Sequence, residues 1–142
     1  KINLVYLSLL FAMISCAPSG RTTSIDRTEG YITTPSGLKY KILQQGSGES
    51  AIVGNEVYIR ETTSYLDGTV LYSNEHSGSP VKVLIGGNQA TIAVDEGLRG
   101  MKVGEVRYLV AAPQLVKRTS YPDNVSPDST LAIKLILISF SK

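Results

Sequence analysis

Asp95-Glu96-Gly97-Leu98-Arg99-Gly100-Met101-Lys102-Val103-Gly104-Glu105 is the stretch whose reading decides the fold. It closes the one segment that predicts a helix, residues 91–99, with Ile92, Asp95 and Glu96 early and Gly100 as the stop. Downstream, residues 105–111 read as a strand followed by Pro113, and Ser126-Pro127-Asp128-Ser129-Thr130-Leu131 leads into residues 131–140, apolar on alternate positions. Upstream, Val83-Leu84-Ile85 ends a short buried strand, residues 81–85, at Gly86-Gly87. Gly54 precedes a long strand, residues 57–66, and Asp67-Gly68 turns it back into Val70-Leu71-Tyr72 as a hairpin. Leu38, Tyr40 and Ile42 alternate with Lys39 and Lys41 in the pattern of a half-buried strand closed by Gly46-Ser47-Gly48. One short helix among about five to six strands is an α+β pattern.

In this order and spacing the glycine and proline landmarks resemble the FKBP-type peptidyl-prolyl isomerases, over roughly residues 36–140. The resemblance implies a curved antiparallel sheet wrapped around the helix, a pocket between the two, and no cofactor or metal. The chemistry such a pocket performs is rotation about the X–Pro amide. That bond favours trans by only about 0.5–1 kcal/mol, but rotation faces a barrier of roughly 18–20 kcal/mol. An aromatic bowl that grips the proline ring and prefers the twisted amide lowers that barrier by differential binding alone.

Carried over position by position, the resemblance shows a bowl stripped of its aromatic side chains. The indole floor falls on Val94, two phenylalanine walls fall on Leu71 and Val81, and a third falls on Ile133. The tyrosine of the loop after Pro113 falls on Lys117-Arg118, and the positions whose backbone contacts the substrate fall on Ala90 and Thr91. The strand tyrosine falls on Glu61 and the carboxylate after the hairpin falls on Tyr72, so this pair has exchanged roles. A buried aromatic ring removes about 150–250 Å² from water at roughly 25 cal/mol per Å², so each trade for Val or Leu forfeits about 1–2 kcal/mol of contact. Isomerase activity is therefore expected to be very low, with Leu71, Val81, Val94 and Ile133 filling the bowl as core. Glu61 is expected either to accept a hydrogen bond from Tyr72, with Lys117 a second partner, or to point to solvent at the sheet edge. Tyr121 overhangs the pocket in this reading as a partial substitute for the missing tyrosine. His76, alone in a polar loop, reads as a surface residue.

Composition narrows the remaining classes. The net charge is +2 over 142 residues, and no Lys/Arg cluster marks a nucleic-acid surface. The aromatics are eight Tyr and two Phe, with no Trp. Lys1 and the apolar residues 2–14 have the form of a signal segment, too short for an ordinary membrane span, ending at Cys16, the single cysteine. Residues 1–16 therefore read as a lipoprotein signal peptide with Cys16 lipidated, or as a buried apolar strand with an incidental Cys. Residues 17–34 are small and polar and read as a flexible tether, with an end-to-end distance of about 20–25 Å. Residues 35–142 form the folded domain. The resulting expectation is a bacterial cell-envelope lipoprotein, anchored in the outer membrane and facing the periplasm. It would use a degenerate isomerase fold to bind exported or outer-membrane proteins, as a chaperone or an accessory of an assembly or secretion complex. The alternative is an active isomerase assisting the folding of exported proteins.

Overall fold

The two longest strands, β4 (Glu56–Tyr65) and β8 (Leu131–Phe140), lie side by side and antiparallel. Their register runs from Tyr65↔Leu131 to Val57↔Phe140. In the computed structural model, residues 25–26 and 30–142 are described. Around this pair the other strands add in the order β1-β2-β3-β7-β8-β4-β5, where β1 is Ile25–Asp26, β2 Tyr31–Thr33, β3 Lys39–Gln44, β5 Val70–Ser73 and β7 Val106–Ala111. A further strand, β6 (Val81–Leu84), shares one edge of β4 with β5: the N-terminal half of β4 pairs with β6 and the C-terminal half with β5. All pairings are antiparallel.

The inner face of this sheet follows from alternation. In β8, Leu131, Ile133, Leu135 and Leu137 are all at most 2% exposed, and in β7 Arg107, Leu109 and Ala111 are buried while their neighbours are half-buried. The helix α1 (Ile92–Leu98) packs on β7 and β8 through Ala93, Val94, Gly97 and Leu98. Its approach is close because residue 97 is glycine: a Cβ there would stand 2.6 Å from Leu109 Cδ1. The helix ends within one residue of the expected limits, with Thr91 as an extended N-cap residue and Gly100 at φ +79° beyond its last turn.

Beneath the helix C-terminus lies a buried polar network. Arg107 donates to Glu105 at 2.6 Å and to the carbonyls of Gly97 and Arg99 at 3.2 and 2.9 Å. Its guanidinium also lies 4.7 Å from the centre of the Tyr40 ring. The free carbonyls at the end of α1 are thus partnered from the sheet below. At the other end, Asp95 accepts from the Gly86 N–H at 2.6 Å and from Arg99, which staples the loop after β6 to the helix.

Two departures from the sequence reading stand out. Residues 17–34 have the small, polar composition of a tether, yet Tyr31–Thr33 and Ile25–Asp26 are strands at one end of the sheet, so the fold starts before residue 35. A short strand near the sheet edge takes its hydrogen bonds from its neighbours and needs no apolar period; here β2 pairs with β1 at Ile25↔Ile32 and with β3 at Ile32↔Tyr40 and Thr33↔Lys39. The Lys41 ammonium, 4.9 Å from the Tyr31 ring and 5.6 Å from the Tyr108 ring, ties that edge to the sheet. A short 3-10 turn, Pro113–Leu115, also follows β7, with proline at its start and Leu115 buried. Cys16 and the signal segment lie outside the described residues.

Candidate functional site

Along β4 the inward positions change character. Val57 and Ile59 are fully buried, and the next two on the same face are Glu61 and Thr63. Because α1 packs on β7 and β8, this part of the inner face stays uncovered, and a cavity of about 670 Å³ opens there. That size lies within the ordinary range for a binding site, about 300–1,000 Å³. Its base is aliphatic, made by Ile59, Val83, Val94 and Leu131, all buried. Leu71 and Val81 extend the apolar surface toward the mouth, where Val81 is 44% exposed. Ala90 and Thr91 form the wall at the start of the helix.

The far wall is the loop after the 3-10 turn. Its root is fixed by buried Leu115 and Val116, and its tip folds back as the Arg118 N–H donates to the Tyr121 hydroxyl at 3.2 Å. Farther on, Tyr65 clamps the loop to the end of β4: its hydroxyl donates to the Asn124 carbonyl and accepts from the Ser126 N–H, both at 2.9 Å. Asn124 reaches back to the Leu71 carbonyl at 3.4 Å. The loop therefore sits at a set distance from β5, and residues 117–120 line the cavity mouth.

Of the positions carried over from the resemblance, Glu61, Leu71, Tyr72, Val81, Ala90, Thr91, Val94 and Lys117 line this one cavity. Ile133 does not. It is 1% exposed, pairs in register with Leu109 on one side and Thr63 on the other, and belongs to the core beneath. The cavity position on β8 is Leu131, two residues earlier. The apolar replacements also do not fill the bowl, since the space above Val94 and Leu71 remains open.

The exchanged pair is corrected in its bonding. Glu61, Thr63 and Tyr72 do share a face, because Tyr72 is the cross-strand partner of Thr63. Yet the Glu61 carboxylate accepts from the Thr63 hydroxyl, at 2.6 Å, while Tyr72 stands 48% exposed at the rim. A neighbour two residues along the same strand meets the carboxylate without any reach across the sheet. Lys117 forms no ion pair with Glu61 among the described residues. Tyr121 is spent on holding its own loop and does not line the cavity. His76 lies at the surface, its side chain 90% exposed, 4.0 Å from Glu75.

Several lining residues escaped the sequence reading. Thr63 was recoverable from the period-two alternation that placed Glu61 inward, and Leu131 from the same alternation in β8. Asn88, at φ +55°, and Gln89, whose side-chain oxygen accepts from the Leu84 N–H at 2.9 Å, shape the turn before the helix. Gly86-Gly87 marks the turn in the sequence, but not which of its side chains face the cavity. Thr91 Oγ1 is the one buried side-chain oxygen without a hydrogen-bond partner among the described residues. No group of His, Cys, Asp and Glu suited to a metal ion occurs among the described residues.

Comparison with known proteins agrees with this architecture. The model of the FKBP-type peptidyl-prolyl cis-trans isomerases matches residues 48–138. The chain is 33% identical over 118 residues to the peptidyl-prolyl cis-trans isomerase Mip of Coxiella burnetii, covering 80% of this chain and 49% of that protein. It is 32% identical over 114 residues to the outer membrane protein MIP of Legionella longbeachae, covering 80% and 48%. Among solved structures, FkpA from Escherichia coli aligns with a TM-score of 0.69 at 24% identity, over 80% of this chain and 53% of that one. The chain thus spans about half the length of these bacterial relatives. With the matched sheet, helix and cavity in place, the chain belongs to the family of FKBP-type peptidyl-prolyl cis-trans isomerases.

Proposed function

We propose that the domain binds segments of exported proteins in the β4–helix cavity as a folding assistant, and that it isomerises prolyl bonds far more slowly than family members with an aromatic bowl. The observation that carries this reading is the cavity itself. It is open and of ligand size, yet its base is Ile59, Val83, Val94 and Leu131, and its one aromatic lining residue is Tyr72 at the rim. Aliphatic walls still bury apolar side chains, so binding is retained. Selective grip on a twisted prolyl amide needs a tight, close-fitting enclosure, and a base without rings supplies less of it.

The relatives support a place for this activity. One is named as an outer membrane protein and others as bacterial isomerases, which fits an envelope protein anchored through lipidated Cys16. The second reading, an active isomerase, is favoured by family membership. A prolyl-tetrapeptide assay on the folded domain separates the two. The expected result is turnover near the uncatalysed background and no measurable tacrolimus binding, alongside saturable binding of unfolded, proline-containing peptides. Turnover within about tenfold of an ordinary family member, a difference of about 1.4 kcal/mol, would establish the enzyme reading instead.

A further inference from the structure

The mouth of the cavity is unbalanced in charge. Its charged lining residues among those described are Glu61 on β4 and, on the loop after the 3-10 turn, Lys117 and Arg118. Glu61 is half-buried and already engaged with Thr63. Lys117 and Arg118 are exposed, and neither forms an ion pair among the described residues. Nor are they on a loose tether: Val116 is buried just before them and the Arg118 N–H is held by Tyr121 just after. Two cations on the loop are thus presented beside an apolar base, in the same cavity as a carboxylate on β4.

We propose that Lys117 and Arg118 make the site selective for extended peptide segments that carry a carboxylate side chain next to the apolar residue buried in the cavity. This rests on the reading of the cavity as a peptide site. Once an apolar side chain occupies the base, its neighbours in the segment must pass the mouth. An acidic neighbour on the loop side meets the Arg118 fork, suited to two parallel hydrogen bonds to a carboxylate, and the Lys117 point charge. An acidic neighbour turned the other way meets Glu61, so the same charges also set the segment's orientation. A basic neighbour meets like charge at the loop.

Fluorescence anisotropy tests this with three labelled decapeptides that share a central Leu-Pro and differ only in flanking residues, Glu, Gln or Lys. At low ionic strength the chain is expected to bind the Glu peptide roughly tenfold more tightly than the Lys peptide, with the Gln peptide between them. The spread should shrink as salt screens the exposed charges. In Lys117→Gln/Arg118→Gln it should fall below about twofold, and in Lys117→Glu/Arg118→Glu the order should invert. Equal affinity for all three peptides in the unaltered chain overturns the charge selection while leaving the peptide site standing. A Glu preference that survives in the Gln variant overturns the assignment to these residues. Binding of none of the three removes the peptide site and this inference together.

Discussion

Glu105, 2% exposed just before β7, accepts from the Lys102 N–H at 3.0 Å and from the Arg107 guanidinium at 2.6 Å. The carboxylate of Glu61, on the inner face of β4, has the Thr63 hydroxyl at 2.6 Å as its one partner among the described residues. Both carboxylates sit where a sheet faces its core, and the difference lies in what is left over. Each oxygen of Glu105 is partnered from within, and the Nη1 donors of Arg107 go to the helix C-terminus. That site is closed, and it holds α1 to the sheet. Glu61 keeps accepting capacity directed into a cavity that faces solvent. A fully partnered polar group stabilises the scaffold, whereas a partly partnered one beside an open cavity is available to a ligand.

The largest expected effect comes from opening the closed site. Arg107→Ala strips Glu105 of its cation and leaves the Gly97 and Arg99 carbonyls without their donor. Removing one member of a buried pair costs about 3–5 kcal/mol, to be read as a lowered urea midpoint. Replacing both, Glu105→Leu with Arg107→Met, should return part of that loss by removing the unpaired charge, while the Gly97 and Arg99 carbonyls and the Lys102 N–H stay without their partners. A single-variant loss below about 1 kcal/mol, the size of an exposed pair, would place the two carboxylates in the same class and break the comparison.

A smaller effect is expected in the cavity, where the question is which neighbour Glu61 depends on. In a double-mutant cycle, Glu61→Gln with Thr63→Val should show a coupling of about 1 kcal/mol. Glu61→Gln with Tyr72→Phe should show none within error. A reversed outcome would mean that in solution Glu61 leaves Thr63 for the tyrosine across the strand.

How much of this was legible in the sequence divides along the same line. The scaffold is written in local rules: glycines where the chain must turn, alternation in β4, β7 and β8, and a stop at Gly100. The resemblance then carried eight pocket positions into one cavity, because pocket positions on paired strands are fixed by register. What stayed hidden was bonding and occupancy. Nothing in the chain before folding says that Glu61 takes a partner two residues away instead of one across the sheet. Nor does it say that Ile133 lies one layer too deep and Leu131 takes its place at the cavity. The strand Tyr31–Thr33 escapes for another reason, since its stability comes from pairing with β1 and β3 and from the Lys41–tyrosine contacts and not from a pattern of its own.

Glu75 stands between the two extremes and gives the finest test. Its side chain is 15% exposed, and it accepts from the Lys134 ammonium on β8 and from the Thr62 hydroxyl at 3.0 Å. The hydrogen bond from Lys134 holds its carboxyl below the ordinary value of 4.5, with Thr62 adding to the effect. Because the folded value is depressed, the stabilisation is fully present above pH 4.5. Below that the unfolded chain takes up its proton first, and the contribution fades until the folded carboxyl is protonated as well. The pair is shallow and open to solvent at the lysine, so the amount at stake is about 0.5–1 kcal/mol. Lys134→Met should lower stability near neutral pH by that amount and flatten the decline below pH 4.5. Other depressed carboxyls, such as Asp67 held by the Thr69 N–H, contribute equally in both proteins, so the difference between the two pH profiles isolates the pair. Parallel profiles would show that Glu75 is bonded but not stabilised, an open site like Glu61 despite its two partners.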